Sequence, residues 1–265
     1  MAVDIRTQNF DLKQIAESGQ CFRMKMEGDS LARVIAGDRL LSISDKGDGR
    51  FELSCTEEEY HNFWYEYFDL GCDYGDFIDA IDPADSFLNR AAASGSGIRI
   101  LRQEPFETLI SFIISQRKSI PAIRTSVEKL CISCGRKIAD DTFAFPEPAD
   151  LAGLSEDELK ECALGYRVPY VREAARRIAC GEKDLEAMRE LTDDALYEEL
   201  VSFKGVGRKV ANCVMLFAYH RIGAFPEDVW IKRIEDDHYG GRFPVERYEG
   251  FAGVLQQYMF FSARN

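Results

Sequence analysis

The sequence lacks any run of eighteen apolar residues, although 46% of its 265 residues are hydrophobic. A transmembrane helix needs about 20 consecutive apolar residues, so the missing run excludes such a helix. The N-terminus also lacks the charged and then apolar stretch that is typical of a secretory signal peptide. We therefore expect a cytoplasmic protein with no targeting segment and no membrane contact.

A second cysteine pair is missing as well. Among eight cysteines, only Cys131 and Cys134 have the C-x-x-C spacing, and they fall in a segment with helical periodicity. A structural zinc site takes four ligands, so one isolated pair is weak evidence for a metal. We expect reduced cysteines, no catalytic metal and no catalytic cofactor.

Net positive charge is absent, because the formal charge at pH 7 is −13. This argues against a protein that coats nucleic acid without specificity, since neutralised phosphates supply most of that affinity. The basic residues are nevertheless clustered in "SQRKSIPAIR", "GYRVPYVREAARR" and "FKGVGRK". Such clusters would let one face bind a polyanion, and an ordinary solvated surface is the alternative.

Repeats are also absent, which argues against a solenoid. Residues 20–55 alternate short β-type runs with turns such as "EGDS" and "KGDGR", and from Thr56 onward the periodicity is helical. The sequence therefore predicts an α+β fold. A small antiparallel β N-terminal domain with connecting helices, residues 1–85, would pack on a larger all-α domain, residues 86–265.

The predicted helices follow the apolar periodicity and its breakers. They cover residues 74–82, 86–94, 104–117, 120–134, 155–163, 168–180, 192–202, 207–220, 229–238 and 246–262. The motifs "TEEE" and "SEDE" have the Thr-x-x-Glu and Ser-x-x-Glu spacing of a capping box, so each is predicted to begin a helix.

A helix–hairpin–helix is predicted at about residues 192–220. Between its two helices lies Gly205-Val206-Gly207, a turn that would present backbone N–H groups to a phosphate, with a structural monovalent cation nearby when DNA is bound. An ordinary turn between helices is the alternative.

Lys209 and Asp228 are the two candidate catalytic residues in this region. Lys209 lies in the first turn of the second hairpin helix, and Cys213 follows on the same face four residues later. Asp228 stands at the N-cap of the next predicted helix. The pair could act as a nucleophile and its electrostatic partner. A phosphate-binding lysine and a purely structural cap are the alternatives.

Several motifs occur together over residues 18–262, nearly the whole chain. They are "SGQCFR", "LRQEPFETLISFIIS", "LGYRVPYV", "GVGRKVANC", "FPEDVW" and "AGVLQQYMF". In this combination and order the chain resembles the 8-oxoguanine DNA glycosylase/AP lyase family of the helix–hairpin–helix superfamily. The resemblance implies a β domain packed on a helical glycosylase bundle, damaged double-stranded DNA as the partner, and a monomer. It would place a prokaryotic member at the nucleoid.

The resemblance also implies a role for each matching residue. Lys209 would attack C1′ of the damaged nucleotide and form a Schiff base, and Asp228 would stabilise the charge developing on the sugar. Only an uncharged amine attacks, and an ordinary lysine is about 0.1% uncharged at pH 7.4, so we expect burial beneath the extruded nucleotide to remove the proton.

Further implied residues bind the base and the DNA. Gly19 would accept from N7–H of 8-oxoguanine, Gln256 would read the Watson–Crick edge, and Cys213 and Phe260 would sandwich the ring. Tyr166 would fill the gap left by the flipped base, and Arg167 would face the estranged cytosine. Each also has a structural alternative, namely packing in the core, a turn glycine or a solvated surface.

Three positions depart from the family pattern. Arg117 replaces an amide expected near the estranged base, and Trp230 replaces a phosphate-contacting histidine. Ala122 stands where an arginine would read that base, so the preference for cytosine is expected to be relaxed. Arg117 and the neighbouring Lys118 could hold phosphates instead.

Two other functions remain open at this point. The first is a monofunctional alkylpurine glycosylase of the same fold. The motif "ISQR" is similar to one in those enzymes, but they lack a lysine at the position of Lys209. The second is a helix–hairpin–helix module that only binds DNA. Iron–sulfur relatives are disfavoured because no C-x6-C-x2-C-x5-C motif follows the hairpin.

Overall fold

The computed structural model describes residues 2–264. Their contacts form two compact units, each assembled from separate parts of the chain. The sheet unit contains residues 2–33, 41–102 and 220–264, and the hairpin unit contains residues 34–40 and 103–219. The linear sequence does not indicate that its C-terminal helices complete the sheet unit.

The predicted antiparallel sheet is confirmed, with one strand more than residues 20–55 provide. Its order is β1-β5-β4-β3-β2, and a separate two-stranded ribbon pairs β6 with β7. Burial alternates along β3, as expected of a strand with one face on the core. The strands are β1 Val3–Arg6, β2 Met24–Met26, β3 Leu31–Ala36, β4 Arg39–Gly47, β5 Arg50–Leu53, β6 Lys137–Ala139 and β7 Thr142–Phe143.

Between residues 74 and 238 each predicted helix is present, whereas the helix Pro148–Gly153 was not predicted. They are α1 Leu12–Glu17, α2 Glu57–Glu59, α3 Tyr65–Tyr67, α4 Tyr74–Asp79, α5 Ser86–Gly95, α6 Pro105–Ser115, α7 Ile120–Cys134, α8 Pro148–Gly153, α9 Glu156–Glu161, α10 Val168–Ala179, α11 Asp193–Val201, α12 Arg208–Phe217, α13 Val229–His238 and α14 Ala252–Ser262. A π-helical turn, Tyr60–Trp64, joins α2 to α3.

Both predicted capping boxes are present. Thr56 caps α2 with Glu59, and Ser155 caps α9 with Glu158. The predicted helix over residues 246–262 is wrong at its start. Its first residues belong to a 3-10 turn, Val245–Tyr248, and Gly250 lies between this turn and the start of α14 at Ala252. The glycine breaks the helix and outweighs the apolar periodicity around it.

A buried polar cluster stabilises the sheet unit. The carboxylate of Asp69, 5% exposed, accepts from the Tyr74 hydroxyl at 2.9 Å and from the Arg102 guanidinium at 2.9 Å. His220 Nε2 lies 3.2 Å from it. Burial raises the pKa of Asp69, but these hydrogen bonds and charges outweigh it and lower the pKa to about 2. The ionised carboxylate therefore holds residue 220 to the first part of the chain.

The hairpin unit is built around α6. This helix packs against α7, α10 and α12. The rings of Phe112 on α6 and Phe217 on α12 stack with their centroids 5.5 Å apart. This stacking holds the end of α12 against α6, and the same helix carries Lys209 in its first turn.

The C-x-x-C pair lies in the last turn of α7. Burial raises the pKa of Cys134 to about 12. Residues 2–264 hold no group of three His, Cys, Asp or Glu side chains that could bind a metal ion. In the same range, every helix is too short or too polar to span a bilayer.

Candidate active site

The hairpin turn joins α11 to α12 and leaves the start of α12 open. Its geometry needs glycine at Gly205, where φ is +83° and a Cβ would lie 2.5 Å from the ring of Tyr170. Gly207 is the N-cap of α12 with extended backbone, and a Cβ there would meet nothing within 4 Å. Gly207, as the N-cap, has no side chain to accept from the first N–H groups of α12, which favours the binding of an anion there.

Lys209 lies in the first turn of α12, half-buried. Its Nζ is 5.0 Å from the centroid of the Phe112 ring. Within residues 2–264 the ammonium makes no ion pair and no hydrogen bond, which distinguishes it from Lys118, Lys183 and Lys232. A face of aromatic carbon therefore holds the charged group in place, and no carboxylate would have to release it before it could react.

Cys213 follows Lys209 by one helical turn, and its side chain is 3% exposed. None of the eight cysteines, all within residues 2–264, forms a disulfide. Phe112 was not among the predicted site residues, although it belongs to the motif "LRQEPFETLISFIIS". Its apolar character gave no signal that distinguishes it from a core residue.

Asp228 is the N-cap of α13, as predicted. Its Oδ1 accepts from the backbone N–H groups of Trp230 at 2.9 Å and Ile231 at 3.0 Å. Its Oδ2 accepts no hydrogen bond from residues 2–264 and remains available. Trp230 is 36% exposed, and the Arg233 guanidinium lies 5.6 Å from its ring centroid.

Gly19 follows α1 in the sheet unit, with φ +80°. Its neighbour Gln20 is fully buried and fixes this turn with its amide. Gln20 Nε2 donates to the carbonyl of Arg99 at 2.8 Å, and Oε1 accepts from the Leu101 N–H at 2.8 Å. Gln20, which was not among the predicted site residues, therefore anchors the turn that contains Gly19.

Gln256 and Phe260 lie one turn apart on α14. Gln256 is 3% exposed, and both ends of its amide are occupied. Its Nε2 donates to the carbonyl of Pro226 at 3.0 Å, and Oε1 accepts from Gln257 Nε2 at 2.9 Å. Phe260 is half-buried beneath the guanidinium of Arg264, 5.1 Å from its ring centroid.

Tyr166 and Arg167 form a 3-10 turn before α10 and differ in exposure. Tyr166 is 52% exposed and Arg167 only 5%. Arg167 Nη1 donates to the carbonyl of Leu164 at 3.0 Å, Nη2 donates to that of Gln116, and the guanidinium lies over the Tyr166 ring. Tyr166 is thus presented outward while Arg167 is held inward.

Arg117 and Lys118 lie in the loop between α6 and α7. Arg117 is exposed with φ +52° and has no side-chain partner within residues 2–264. Lys118 Nζ already donates to Ser126 Oγ at 2.5 Å and to the carbonyl of Ala163 at 2.6 Å. Burial and the charge of Arg167 lower the pKa of Lys118.

The structure thus brings most of the predicted residues together in the hairpin unit. The sheet unit holds the others, which are Gly19, Asp228, Trp230, Gln256 and Phe260. The hairpin unit holds Arg117, Lys118, Tyr166, Arg167, Gly205, Gly207, Lys209 and Cys213.

Comparison with known proteins assigns a family to this arrangement. Residues 2–109 match the N-terminal domain of 8-oxoguanine DNA glycosylase, and residues 110–242 match the HhH-GPD superfamily of base excision DNA repair proteins. The chain belongs to the 8-oxoguanine DNA glycosylase family.

Individual relatives of this glycosylase extend over most of its length. A probable N-glycosylase/DNA lyase of Methanothermobacter thermautotrophicus is 32% identical over 74% of this chain and 72% of its own. The Clostridium acetobutylicum 8-oxoguanine glycosylase/lyase, solved with double-stranded DNA containing cytosine opposite 8-oxoG, has a TM-score of 0.92 at 34% identity. That match covers 100% of this chain and 97% of the other.

A 3-methyladenine DNA glycosylase of Archaeoglobus fulgidus shares the fold alone. Its TM-score is 0.78, with 20% sequence identity over 100% of this chain and 98% of the other. The fold therefore does not distinguish 8-oxoguanine from alkylpurine glycosylases, and the side chains of the site must do so.

Proposed function

We propose that this glycosylase is a bifunctional base-excision repair enzyme. It would flip 8-oxoguanine out of duplex DNA, remove it through a Schiff base on Lys209 and cleave the strand by β-elimination. One observation carries the proposal, namely a half-buried lysine without an ion pair at the open start of the hairpin helix. A lysine that only binds phosphate needs no aromatic surface beneath it.

The chemistry begins at Nζ of Lys209. Its lone pair forms a bond to C1′ while the N-glycosidic bond breaks, and the base leaves with a proton. Opening of the sugar ring gives a Schiff base. Loss of a proton from C2′ then expels the 3′-phosphate, which cuts the strand. Nζ has no carboxylate partner within residues 2–264, so no ion pair has to be broken before the amine reaches C1′.

Asp228 would have two tasks in this reaction. Oδ1 caps α13 and so fixes the carboxylate in one orientation. Oδ2, which accepts no hydrogen bond from the described residues, would stabilise the positive charge that develops on the deoxyribose. A group placed by its own helix cap costs no reorganisation when that charge appears.

Recognition of the base would depend on four residues. The Gly19 carbonyl would accept from N7–H, the hydrogen that distinguishes 8-oxoguanine from guanine. Cys213 and Phe260 would cover the two faces of the ring. The Gln256 amide would exchange its bonds to Pro226 and Gln257 for bonds to the Watson–Crick edge, so it would act as a reader only when DNA is bound.

DNA would bind along the loops of the hairpin unit and at Trp230. The open N–H groups of α12, behind Gly205 and Gly207, would hold a phosphate, and Tyr166 would fill the gap in the stack. Arg117 would supply a further cation. Arg167 and Lys118 would support these loops from within. Backbone carbonyls of the hairpin turn are the oxygen ligands that a monovalent cation takes, and no step of the reaction passes through it.

The alkylpurine alternative is less well supported than the bifunctional reaction. A monofunctional glycosylase activates water and needs no lysine at this position, and the alkylpurine relative described above shares the fold at only 20% identity. We also propose that the protein acts as a monomer. In a prokaryote it would act at the nucleoid in the cytoplasm, where the genomic DNA lies.

Lysine replacement tests the proposal. A duplex with 8-oxoguanine opposite cytosine is incubated with wild type, Lys209→Gln or Lys137→Gln, and released base and cut strand are quantified. Lys137 is the matched control, because it is exposed in the same unit and has no side-chain partner within residues 2–264. We expect Lys209→Gln to lose both products and Lys137→Gln to retain both. Base release without strand cleavage by wild type would identify an alkylpurine-type enzyme, and binding without base release would identify a DNA-binding module.

A further inference from the structure

Two of the DNA-facing loops of the hairpin unit are connected by the side chain of Gln116. This residue directly follows α6 and leaves the helix with ψ 120°. Its Nε2 donates to the carbonyl of Gly205 in the hairpin turn at 3.0 Å and to that of Ile113 in α6 at 3.1 Å. The hairpin is therefore tied to the end of α6, which lies 89 residues earlier in the chain.

The backbone of Gln116 reaches the third loop. Its carbonyl accepts from Arg167 Nη2, and the Tyr166 hydroxyl lies 3.5 Å from the same oxygen. Arg167 is buried, and its guanidinium lies 4.3 Å from the centroid of the Tyr166 ring. The exposed aromatic ring therefore rests on a guanidinium whose position Gln116 helps to fix.

Tyr170 provides a second, apolar connection between the same loops. Its ring packs directly against Gly205 and lies 6.3 Å, centroid to centroid, from the ring of Tyr166 in an edge-to-face arrangement. This contact holds the loops close together, but it does not prevent one loop from sliding along the other, because apolar contacts are not directional. The hydrogen bonds of Gln116 supply the direction.

We propose that Gln116 is a positioning residue for the repair reaction. It would keep the phosphate-binding hairpin and the gap-filling Tyr166 in the one arrangement in which both act on the same stretch of DNA. The inference rests on the proposed function. An enzyme that extrudes a base must hold the backbone at one point while it occupies the stack at another. If these two points moved independently, binding energy from one would not assist the other.

The amide is chemically suited to this task. Both of its N–H groups donate, one to each of the two carbonyl oxygens. A side chain with fewer than two donors would leave at least one of these oxygens without this hydrogen bond. Methionine has nearly the same shape without donors, and glutamate would direct an oxygen at two carbonyl oxygens. Gln116→Met therefore removes the connection at nearly constant volume, and Gln116→Glu makes it repulsive.

The test compares Gln116→Met with wild type and with Gln8→Met, a control at an exposed glutamine of the sheet unit. Fluorescence anisotropy gives the affinity for a lesion duplex, and 2-aminopurine beside the lesion reports base extrusion. We expect Gln116→Met to weaken binding and slow extrusion about tenfold each, the factor that corresponds to loss of one or two hydrogen bonds. Strand cleavage of an abasic duplex at saturating enzyme should change less than about twofold, and Gln8→Met should resemble wild type.

A double-mutant cycle separates positioning from a general loss of stability. If Gln116 acts through Tyr166, Gln116→Met should slow extrusion much less in a Tyr166→Ala background than in wild type. Equal factors in the two backgrounds, or wild-type affinity and extrusion in Gln116→Met, would overturn the inference. If wild type fails to form a borohydride-trapped adduct with abasic DNA, the proposed function fails. In that case the role of Gln116 in DNA binding is still tested by comparing the affinities of Gln116→Met and wild type for the duplex.

Discussion

Replacement of Gly205 by alanine is expected to destabilise the hairpin unit strongly. The residue has φ +83°, where an alanine costs about 1–2 kcal/mol relative to glycine. A Cβ would also lie 2.5 Å from one ring atom of Tyr170 and 2.7 Å from another. Because this ring belongs to the first turn of α10, it cannot withdraw without disturbing that helix, which adds about 1–3 kcal/mol. The free energy of unfolding should fall by about 2–5 kcal/mol in total.

Gly207 provides the matched control, two residues away in the same turn. Its backbone is extended, and a Cβ there would meet nothing within 4 Å. Gly207→Ala should therefore change the free energy of unfolding by less than about 0.5 kcal/mol. Its methyl group would nevertheless stand at the open start of α12, so affinity for DNA should fall while stability is retained.

Urea unfolding followed by circular dichroism measures the first effect, and anisotropy with a labelled duplex measures the second. Equal stabilities of the two alanine variants would refute the assignment of Gly205 as the conformationally required glycine. Unchanged DNA affinity in Gly207→Ala would contradict the hairpin as the phosphate anchor.

Three further predictions concern charge, capping and thiol reactivity. The pKa of Asp69 is lowered from 3.8 to about 2, so the carboxylate contributes about 2 kcal/mol of stability above pH 4. Urea titrations should show Asp69→Asn less stable by that amount at pH 7, with the difference disappearing as the pH falls towards 2. A constant difference at all pH values would contradict this. Asp228→Asn should keep the cap of α13 and wild-type stability but release base about 100-fold more slowly, whereas Asp228→Ala should also lose about 1 kcal/mol of stability. Wild-type base release by Asp228→Asn would restrict this residue to capping. Mass spectrometry after iodoacetamide treatment at pH 8 should find Cys180, which is exposed, alkylated before Cys134, whose pKa burial raises to about 12. The opposite order would refute this prediction.

The local parts of the fold could be predicted from sequence because neighbouring residues determine them. The bounds of α7 agree with the prediction, and both capping boxes and the cap at Asp228 form as expected. The C-terminal helix begins six residues later than predicted, at Ala252 rather than residue 246. There a local glycine outweighs the apolar periodicity. Strand β1 was missed because its pairing with β5 joins residues that are far apart in the chain, such as Ile5 and Phe51.

The site shows the same division between local and distant effects. Motif spacing predicts a site at Lys209 and its hairpin. It does not predict the ring of Phe112 beneath the lysine, since a phenylalanine in an apolar helix resembles any core residue. Gln116 was likewise missed, because its amide acts on a carbonyl 89 positions away. Arg167 was expected to face DNA, yet its guanidinium is buried against the carbonyls of its own unit. Exposure depends on tertiary contacts that no local pattern contains.

The most direct measurement of the central claim maps the covalent bond itself. Wild-type protein is reduced with borohydride on a duplex containing 8-oxoguanine, digested with protease and nuclease, and sequenced by mass spectrometry. We predict a single adduct, on Lys209, with the mass of the reduced sugar fragment. An adduct on Lys118, on the N-terminal amine or on any other residue would contradict the account, and so would strand cleavage without any adduct.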